Sequence, residues 1–141
     1  MANRLLRVPQ VLIACVKFLV FLKSSAFACS CAVDSMSARE LAKEMFRGNR
    51  KVAILRIINV TEIPSAYEFR GDVRVIENFK GAATLKQITT NNSEAACGVT
   101  LTPGQERLFL INETNRVSLC SNSFKSSPEL ISALRQLASR K

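Results

Sequence analysis

KVAILRIINV, residues 51–60, is rich in valine and isoleucine and therefore predicts a β-strand. Downstream, Ile63-Pro64-Ser65 predicts a turn, and a second strand is expected from Tyr67 to Phe79. Lys80-Gly81 interrupts this second stretch and ends it. Two strands joined by a short turn predict the beginning of a sheet.

Three further short strands are expected in the second half of the chain. They are Leu85 to Thr90, Arg107 to Asn112 after the turn signal Pro103-Gly104, and Arg116 to Cys120 after an asparagine-rich turn. Five short strands separated by turns predict a mainly β fold that forms a small barrel.

Two amphipathic helices flank the predicted barrel. The first begins at the capping box Ser37-Ala-Arg-Glu40 and stops at Gly48. The second begins at Ser127-Pro128-Glu129, where serine caps the helix and proline occupies its first position. Its apolar residues recur at helical spacing and favour packing on the barrel over membrane binding: Leu130, Ile131, Leu134 and Leu137.

The first 28 residues have the composition of a secretory signal peptide. Arg4 and Arg7 form a basic start, Val11 to Leu22 is apolar apart from one lysine, and Ala26-Phe27-Ala28 is a small-residue cleavage site. The apolar run of about 12 residues is well short of the ~20 that cross a bilayer as a helix, so no stable membrane span is expected. We therefore predict a signal peptide over 1–28 and a secreted protein, extracellular or, in a bacterium, periplasmic.

Residues 29–141 remain after cleavage and are of a normal size for one domain with its own core. The removed segment holds four of the 20 basic residues and none of the 11 acidic ones, so the formal net charge falls from +9 to +5. The densest basic cluster, Arg47, Arg50 and Lys51, has no interleaved aromatic residues. With one tyrosine and no tryptophan to stack on bases, nucleic-acid binding is not expected.

The composition argues against an enzyme. The chain has no histidine, which excludes Ser-His-Asp and Cys-His sites and histidine-ligated zinc. There is no glycine-rich phosphate loop, and no spaced pair of carboxylates lies in surroundings that would separate a general acid from a base. We expect no catalytic residue, no metal site of the protein's own and no cofactor.

Four cysteines remain after cleavage: Cys29, Cys31, Cys97 and Cys120. An even number in a secreted chain predicts two disulfides. Near-adjacent geometry disfavours a bridge between Cys29 and Cys31, which leaves two long-range pairings. Either one would fasten the N-terminal segment to the distant half of the domain.

Several motifs of the domain occur in a particular order. They are Cys29-Ser30-Cys31; Val73 to Gly81, ending in Phe79-Lys80-Gly81; Ala96-Cys97-Gly98; Pro103-Gly104 with Leu108 to Ile111; and Cys120. In order and spacing, residues 29–141 resemble the N-terminal domain of the tissue inhibitors of metalloproteinases (TIMPs) and the wider netrin-like (NTR) domains. The resemblance implies a five-stranded OB-fold barrel with flanking α-helices, stapled by disulfides Cys29 to Cys97 and Cys31 to Cys120.

The resemblance also implies a secreted metalloprotease inhibitor. The α-amino nitrogen and carbonyl oxygen of Cys29 would chelate the catalytic zinc of a target protease and displace its nucleophilic water. Ser30 would point into the primary specificity pocket. The other protease-contacting residues would be Cys31, Ala32, Val33 and Asp34 along the groove, and Glu94, Ala95 and Ala96 beside it, tethered through Cys97. The expected partner is thus a zinc metalloprotease, and the inhibitor is expected to be a monomer.

Two other functions fit the same residues. Netrin-like domains in general often lack protease inhibition, so Cys29 and Cys31 could serve only as staples of an extracellular binding module. A cysteine directly after a signal peptide can also be acylated, which would give a lipid-anchored envelope protein and block zinc chelation. The chemical state of the Cys29 amine and a protease titration together separate these functions.

Overall fold

A computed structural model of the protein describes residues 36–48, 50–122 and 126–140. In chain order the elements are helix α1 (Ala38–Phe46), strand β1 (Lys51–Ile63), a 3₁₀ helix (Pro64–Ala66), strand β2 (Glu68–Lys80), strand β3 (Gln87–Asn91), a second 3₁₀ helix (Glu94–Ala96), strand β4 (Glu106–Ile111), helix α2 (Leu119–Asn122) and helix α3 (Pro128–Ala138). The predicted signal peptide, 1–28, lies outside the described residues. No helix in the described ranges has both the length and the apolar character needed to cross a membrane.

The described strands form one antiparallel sheet in the order β3-β2-β1-β4. The long β1–β2 hairpin pairs from Val52 with Lys80 to Ile63 with Glu68, and its register shifts at three points along the way. Such β-bulges bend a strand and increase its local right-handed twist. The sheet accordingly curls into a half-barrel, which confirms the prediction of a mainly β fold with helices.

Two hydrophobic clusters lie on opposite faces of this sheet. Successive strand residues point to opposite faces, so Leu55 and Ile57 of β1 are buried within the curl together with Phe109 of β4. Val52 and Leu110 point the other way and pack with residues of helices α1 and α3. Residues 52–55 of β1 and 108–111 of β4 are therefore covered on both faces, which makes them the rigid centre of the domain.

Helices α1 and α3 begin where the sequence predicts. Ser37 and Glu40 form a reciprocal capping box, in which the Glu40 N–H donates to Ser37 Oγ at 3.3 Å and the Ser37 N–H donates to the Glu40 carboxylate at 3.1 Å. Ser127 caps α3 by accepting the Leu130 N–H at 3.2 Å. Leu130 and Leu134 are buried in the cluster shared with the sheet, so the apolar stripe of α3 is a packing surface.

The predicted fifth strand, Arg116 to Cys120, is not a strand in the structure. The described sheet has four strands, and this segment contributes a single parallel bridge, between Arg116 and Thr89 of β3. There the Val117 N–H donates to the Thr89 carbonyl at 2.8 Å. The chain then turns into helix α2 at Leu119.

The side chain of Asn122 explains why residues 116–120 do not form a fifth strand. Its carboxamide oxygen accepts the Leu110 N–H at 2.9 Å, and its nitrogen donates to the Leu110 carbonyl at 3.2 Å and to the Ser118 carbonyl at 3.0 Å. One side chain thus makes at the edge of β4 the two hydrogen bonds that a neighbouring strand would make. Because these buried main-chain groups are already satisfied, β4 needs no further strand beside them.

Candidate functional site

The predicted contact residues fall into two sets. Cys29, Ser30, Cys31, Ala32, Val33 and Asp34 lie outside the described residues. Glu94, Ala95, Ala96, Cys97 and Cys120 are described. The structure therefore defines the second half of the predicted site, which lies in the connection between β3 and β4, here called the β3–β4 loop (residues 92–105).

Glu94, Ala95 and Ala96 form a short 3₁₀ helix near the start of the β3–β4 loop, and all three are exposed. Ser93 caps this turn, because its side-chain oxygen accepts the Ala96 N–H at 3.2 Å. The Cys97 N–H donates to the Glu94 carbonyl at 2.9 Å. Local hydrogen bonds thus hold the three predicted contact residues in a fixed turn on the surface.

Cys97 and Gly98 reverse the chain after this turn. Cys97 has a left-handed backbone, with φ 62° and ψ 26°, and the Gly98 N–H donates to the Ser93 carbonyl at 2.8 Å. A Cβ atom on Gly98 would lie 2.2 Å from the Asn91 carbonyl oxygen and 2.7 Å from that of Ser93. Only glycine fits there, so the Cys-Gly pair of the sequence is a requirement of this turn.

A main-chain contact joins Cys97 to the segment that carries Cys120. The Cys97 carbonyl accepts the Leu119 N–H at 2.8 Å, and Leu119 precedes Cys120 in helix α2. Both cysteines are predicted to take part in disulfide bonds. The described residues do not contain the pairings, so the bridges to Cys29 and Cys31 stay predictions.

A polar network that sequence reasoning missed fixes the loop to the sheet. Asn91, the last residue of β3, donates to the Ala96 carbonyl and accepts a hydrogen bond from the Arg116 guanidinium at 2.5 Å. Arg116 also forms an ion pair with Glu68 of β2. The local signal of this network is the polar run 91–93, which begins at the last residue of β3.

A cleft of about 240 Å³ opens between the β3–β4 loop and the β1–β2 hairpin. The lining residues used below are four apolar ones and one acidic one: Val60, Phe69, Val99, Leu101 and Glu94. The apolar side chains are buried or half-buried, whereas Glu94 is exposed. The cleft therefore has an apolar base and an acidic group at its rim.

The charges around the loop are unevenly compensated. The Glu94 carboxylate accepts one weak hydrogen bond, from the Thr100 hydroxyl at 3.4 Å, whereas the charge of Arg116 is neutralised by Glu68. Within the described ranges, no group of three or more cysteine or acidic residues is placed to hold a metal ion. The described half of the site thus offers a rigid, exposed surface with a net acidic rim, suited to contact with another molecule.

Comparison with known proteins adds no family assignment. No protein-family model matches the chain, and no curated protein matches it. The residues and their arrangement therefore carry the functional assignment.

Proposed function

We propose that the protein is a secreted inhibitor of zinc metalloproteases. The observation that carries the proposal is the sequence Cys29-Ser30-Cys31 directly after the predicted cleavage site Ala26-Phe27-Ala28. Cleavage there leaves Cys29 with a free α-amino group next to its own carbonyl oxygen, and these two atoms can chelate one metal ion. The protein then acts outside the cell, or in the periplasm of a bacterium, as a monomer and without enzymatic activity of its own.

The inhibitory step replaces a water molecule. The amine nitrogen and carbonyl oxygen of Cys29 bind the protease's catalytic zinc in the position of its water. Since that metal-bound water is the nucleophile for peptide hydrolysis, its displacement stops the reaction. The amine must be unprotonated to bind, because a metal ligand needs a free electron pair. Ser30 enters the primary specificity pocket, and residues 31–34 continue along the groove.

We take the half-barrel to be a partly open OB-type barrel in which the segment around Arg116 occupies the place of the fifth strand without forming one. Support comes from the parallel bridge between Arg116 and Thr89, because Thr89 belongs to β3, at the opposite edge of the sheet from β4. Just after β4, the Asn112 N–H donates to the Arg116 carbonyl at 3.0 Å. The segment around Arg116 therefore links the two edges of the sheet, along the path that a fifth strand would take.

Two disulfides, Cys29 to Cys97 and Cys31 to Cys120, would hold the N-terminal segment. Because Cys29 and Cys31 are only two residues apart, their partners must lie close together. The hydrogen bond from the Leu119 N–H to the Cys97 carbonyl meets this condition, since Leu119 is the neighbour of Cys120. A segment held in this way loses little conformational freedom on binding, whereas a free peptide would lose affinity through its ordering.

The exposed turn Glu94–Ala96 supplies the second part of the proposed interface. It is directly followed by Cys97, so a bridge from Cys97 to Cys29 places the turn beside the zinc-chelating residue. The capping and reversal hydrogen bonds of Ser93 keep the turn in one conformation. Both parts of the interface are then rigid before the protease binds.

The test begins with the intact mass and N-terminal sequence of the secreted protein, followed by titration against a panel of zinc metalloproteases. We expect Cys29 as the first residue, the mass of two disulfides, and stoichiometric inhibition of at least one protease. Adding one alanine before Cys29 should abolish inhibition and leave the circular dichroism spectrum unchanged, because it moves the free amine away from the carbonyl that completes the chelate. Adding one alanine after Lys141 is the matched control.

Full inhibition by the variant extended before Cys29 would refute the chelation mechanism. A free Cys29 without inhibition of any protease would favour a non-inhibitory netrin-like binding module. An acylated Cys29 would instead indicate a lipid-anchored envelope protein.

A further inference from the structure

We propose that the cleft between the β1–β2 hairpin and the β3–β4 loop receives a lysine or arginine side chain of the target protease. This inference rests on the proposed inhibitory function, because it assigns one contact within that complex. It uses residues other than the zinc-chelating Cys29, and it names the chemistry of the group that the protease must present.

The shape of the cleft suits one long side chain. Its volume of about 240 Å³ lies below the ~300–1,000 Å³ typical of sites for whole small molecules. Val60 and Phe69 form one apolar wall and Val99 and Leu101 the other. Lysine and arginine carry a long aliphatic stem and a charged tip, so the stem would contact these walls while the tip stays at the rim.

Two carboxylates are placed to meet that tip. Glu94 lines the cleft. Among the described residues its carboxylate accepts one hydrogen bond, from the Thr100 hydroxyl at 3.4 Å, which leaves most of its acceptor capacity open. In the β1–β2 ladder Glu62 pairs with Phe69, as Val60 pairs with Gly71. Directly paired residues lie on the same face of a sheet, so Glu62 projects on the cleft side, two residues beyond Val60.

No cation of the described chain already occupies this position. None of the residues that line the cleft is basic, and Glu62 forms no ion pair with another described residue. Arg70 is adjacent to Phe69 along β2 and so projects from the opposite face. After cleavage the chain would have a formal net charge of +5, so two uncompensated carboxylates beside an apolar cleft form a local surface of the opposite sign. Charge complementarity therefore favours a cationic occupant.

The two walls of the cleft are fixed to each other before any partner binds. The Asn92 N–H donates to the Tyr67 carbonyl at 3.0 Å, which ties the loop to the tip of the hairpin. The Val99 N–H donates to the buried Thr90 hydroxyl at 2.8 Å, which ties the middle of the loop to β3. A preformed cleft of this kind costs little conformational entropy when it is filled.

The position of the cleft connects it with the proposed inhibitory contact. Glu94 belongs both to the cleft lining and to the exposed turn Glu94–Ala96. A protease whose groove lies against that turn would therefore have its adjoining surface over the cleft. A lysine or arginine at that place on the protease would be selected, and an aspartate or glutamate would be rejected.

The first experiment titrates the ¹⁵N-labelled secreted protein with Nα-acetyl-lysine methylamide and follows backbone amide shifts. Nα-acetyl-norleucine methylamide, which has an aliphatic stem and no charge, is the matched ligand. We expect saturable shifts at Val60, Phe69, Val99 and Leu101 with the lysine probe and clearly weaker binding of the norleucine probe. Glu94→Gln should weaken lysine binding about two- to fivefold, the effect of one exposed ion pair. Glu113→Gln, an exposed carboxylate outside the cleft lining, should leave it unchanged.

The second experiment measures inhibition constants for a protease that the wild-type protein inhibits. Glu94→Gln and Glu62→Gln should each raise the inhibition constant about two- to fivefold, and the difference should shrink at ~1 M salt, where charges are screened within about 3 Å. The alanine extension before Cys29 should abolish inhibition and leave lysine binding intact. This pair of results separates the cleft from the zinc-chelating step.

Each contrary outcome overturns a defined part of the inference. Lysine-probe shifts that do not saturate, or that are the same in Glu94→Gln, would remove the cleft as a cation receptor. Unchanged inhibition constants in both variants, with wild-type inhibition present, would remove the protease as its occupant while leaving the inhibitory function in place. Lysine binding without inhibition of any protease would overturn the protease as occupant together with the proposed function. Self-association in sedimentation experiments that Glu94→Gln abolishes would assign the cleft to a second copy of the chain.

Discussion

Replacing Asn122 by alanine should lower the free energy of unfolding by about 2–6 kcal/mol. The side chain is 3% exposed, and its carboxamide makes hydrogen bonds with the N–H and the carbonyl of Leu110. Leu110 is itself 5% exposed, so water cannot replace the lost partner without entering the core. Each buried main-chain group left without a partner costs about 1–3 kcal/mol, and Leu110 would have two of them.

Urea unfolding followed by circular dichroism measures this change. Asn59→Ala is the matched control, because Asn59 is an exposed asparagine of a strand and its side chain makes none of the described hydrogen bonds. The control should stay within about 0.5 kcal/mol of the wild type, and a domain with ~5–15 kcal/mol of total stability leaves room to resolve the difference. If Asn122→Ala loses no more stability than Asn59→Ala, the Asn122 side chain does not replace the hydrogen bonds of a strand.

Asn122→Asp adds a test that depends on the proton. An ionised aspartate could still accept the Leu110 N–H, but it would repel the Leu110 carbonyl to which Asn122 donates. Burial raises the pKa of such a carboxyl in the folded protein above its unfolded value of ~3.9, so the folded state binds the proton more tightly. The stability deficit of the variant is then fully present above the raised pKa and shrinks as the pH falls through it. A deficit that stays constant from pH 7 to pH 4 would contradict the assigned geometry.

Three further changes test other parts of the fold by urea unfolding. Gly98→Ala should lower the free energy of unfolding by at least ~2 kcal/mol, because its Cβ would lie 2.2 Å from a backbone oxygen. The control Gly48→Ala, at φ +66° in open space, should lower it by only ~1 kcal/mol. Equal losses in the two variants would mean that the crowding at Gly98 is unimportant. Tyr67→Gly should raise the free energy of unfolding by up to ~1 kcal/mol. Tyr67 has φ 53°, and the strain of a left-handed backbone, ~1–2 kcal/mol, exceeds the entropic cost of glycine. A loss of stability would show that the tyrosine side chain has a stabilising contact. The hydrogen bonds from Arg135 lower the pKa of Glu77 below its ordinary 4.5. The wild type should therefore be more stable than Glu77→Gln above pH 4.5, and this difference should decline as the pH falls below 4.5. A difference that grows on acidification would contradict the lowered pKa.

Elements with local signals could be predicted from the sequence. The capping box of Ser37 and Glu40 needs only a three-residue spacing, and the structure contains both of its hydrogen bonds. The Ser127 cap of α3 also has a local signal, and the structure contains its hydrogen bond with the Leu130 N–H. The β1–β2 hairpin also follows from local composition, because valine and isoleucine favour a strand and Pro64 marks the turn.

The predicted fifth strand failed because its environment is not local. Residues 116–120 have an adequate strand composition, but the edge of β4 is already occupied by a side chain that lies 12 positions away from Leu110 in the sequence. No sequence pattern around Asn122 indicates that its carboxamide will make the hydrogen bonds of a neighbouring main chain. Tertiary context therefore decided the conformation of this segment, as it often does for β-structure.

In the candidate site, too, only the features with a local signal could be predicted from the sequence. The Cys-Gly pair at residues 97–98 is visible in the sequence, and the structure gives its reason in the crowded position of Gly98. The network that holds the turn is not visible, because Arg116 reaches Asn91 across 25 positions and Glu68 across 48. The cleft could not be predicted either, since its two walls come from the hairpin and from a loop about 30 residues later.

The two parts of the proposed inhibitory surface are held by different bonds. The cleft and the turn Glu94–Ala96 are fixed by hydrogen bonds, such as that from Asn92 to Tyr67, and none of these requires a disulfide. The N-terminal segment depends, in the proposal, on the bridges of Cys29 and Cys31. Reduction should therefore abolish zinc chelation, because the freed segment must be ordered again on binding, while the lysine probe still binds at the cleft. An inhibitor built in this way separates affinity from selectivity: the amine would bind any accessible catalytic zinc, and the cleft would favour those proteases that present a cation beside it.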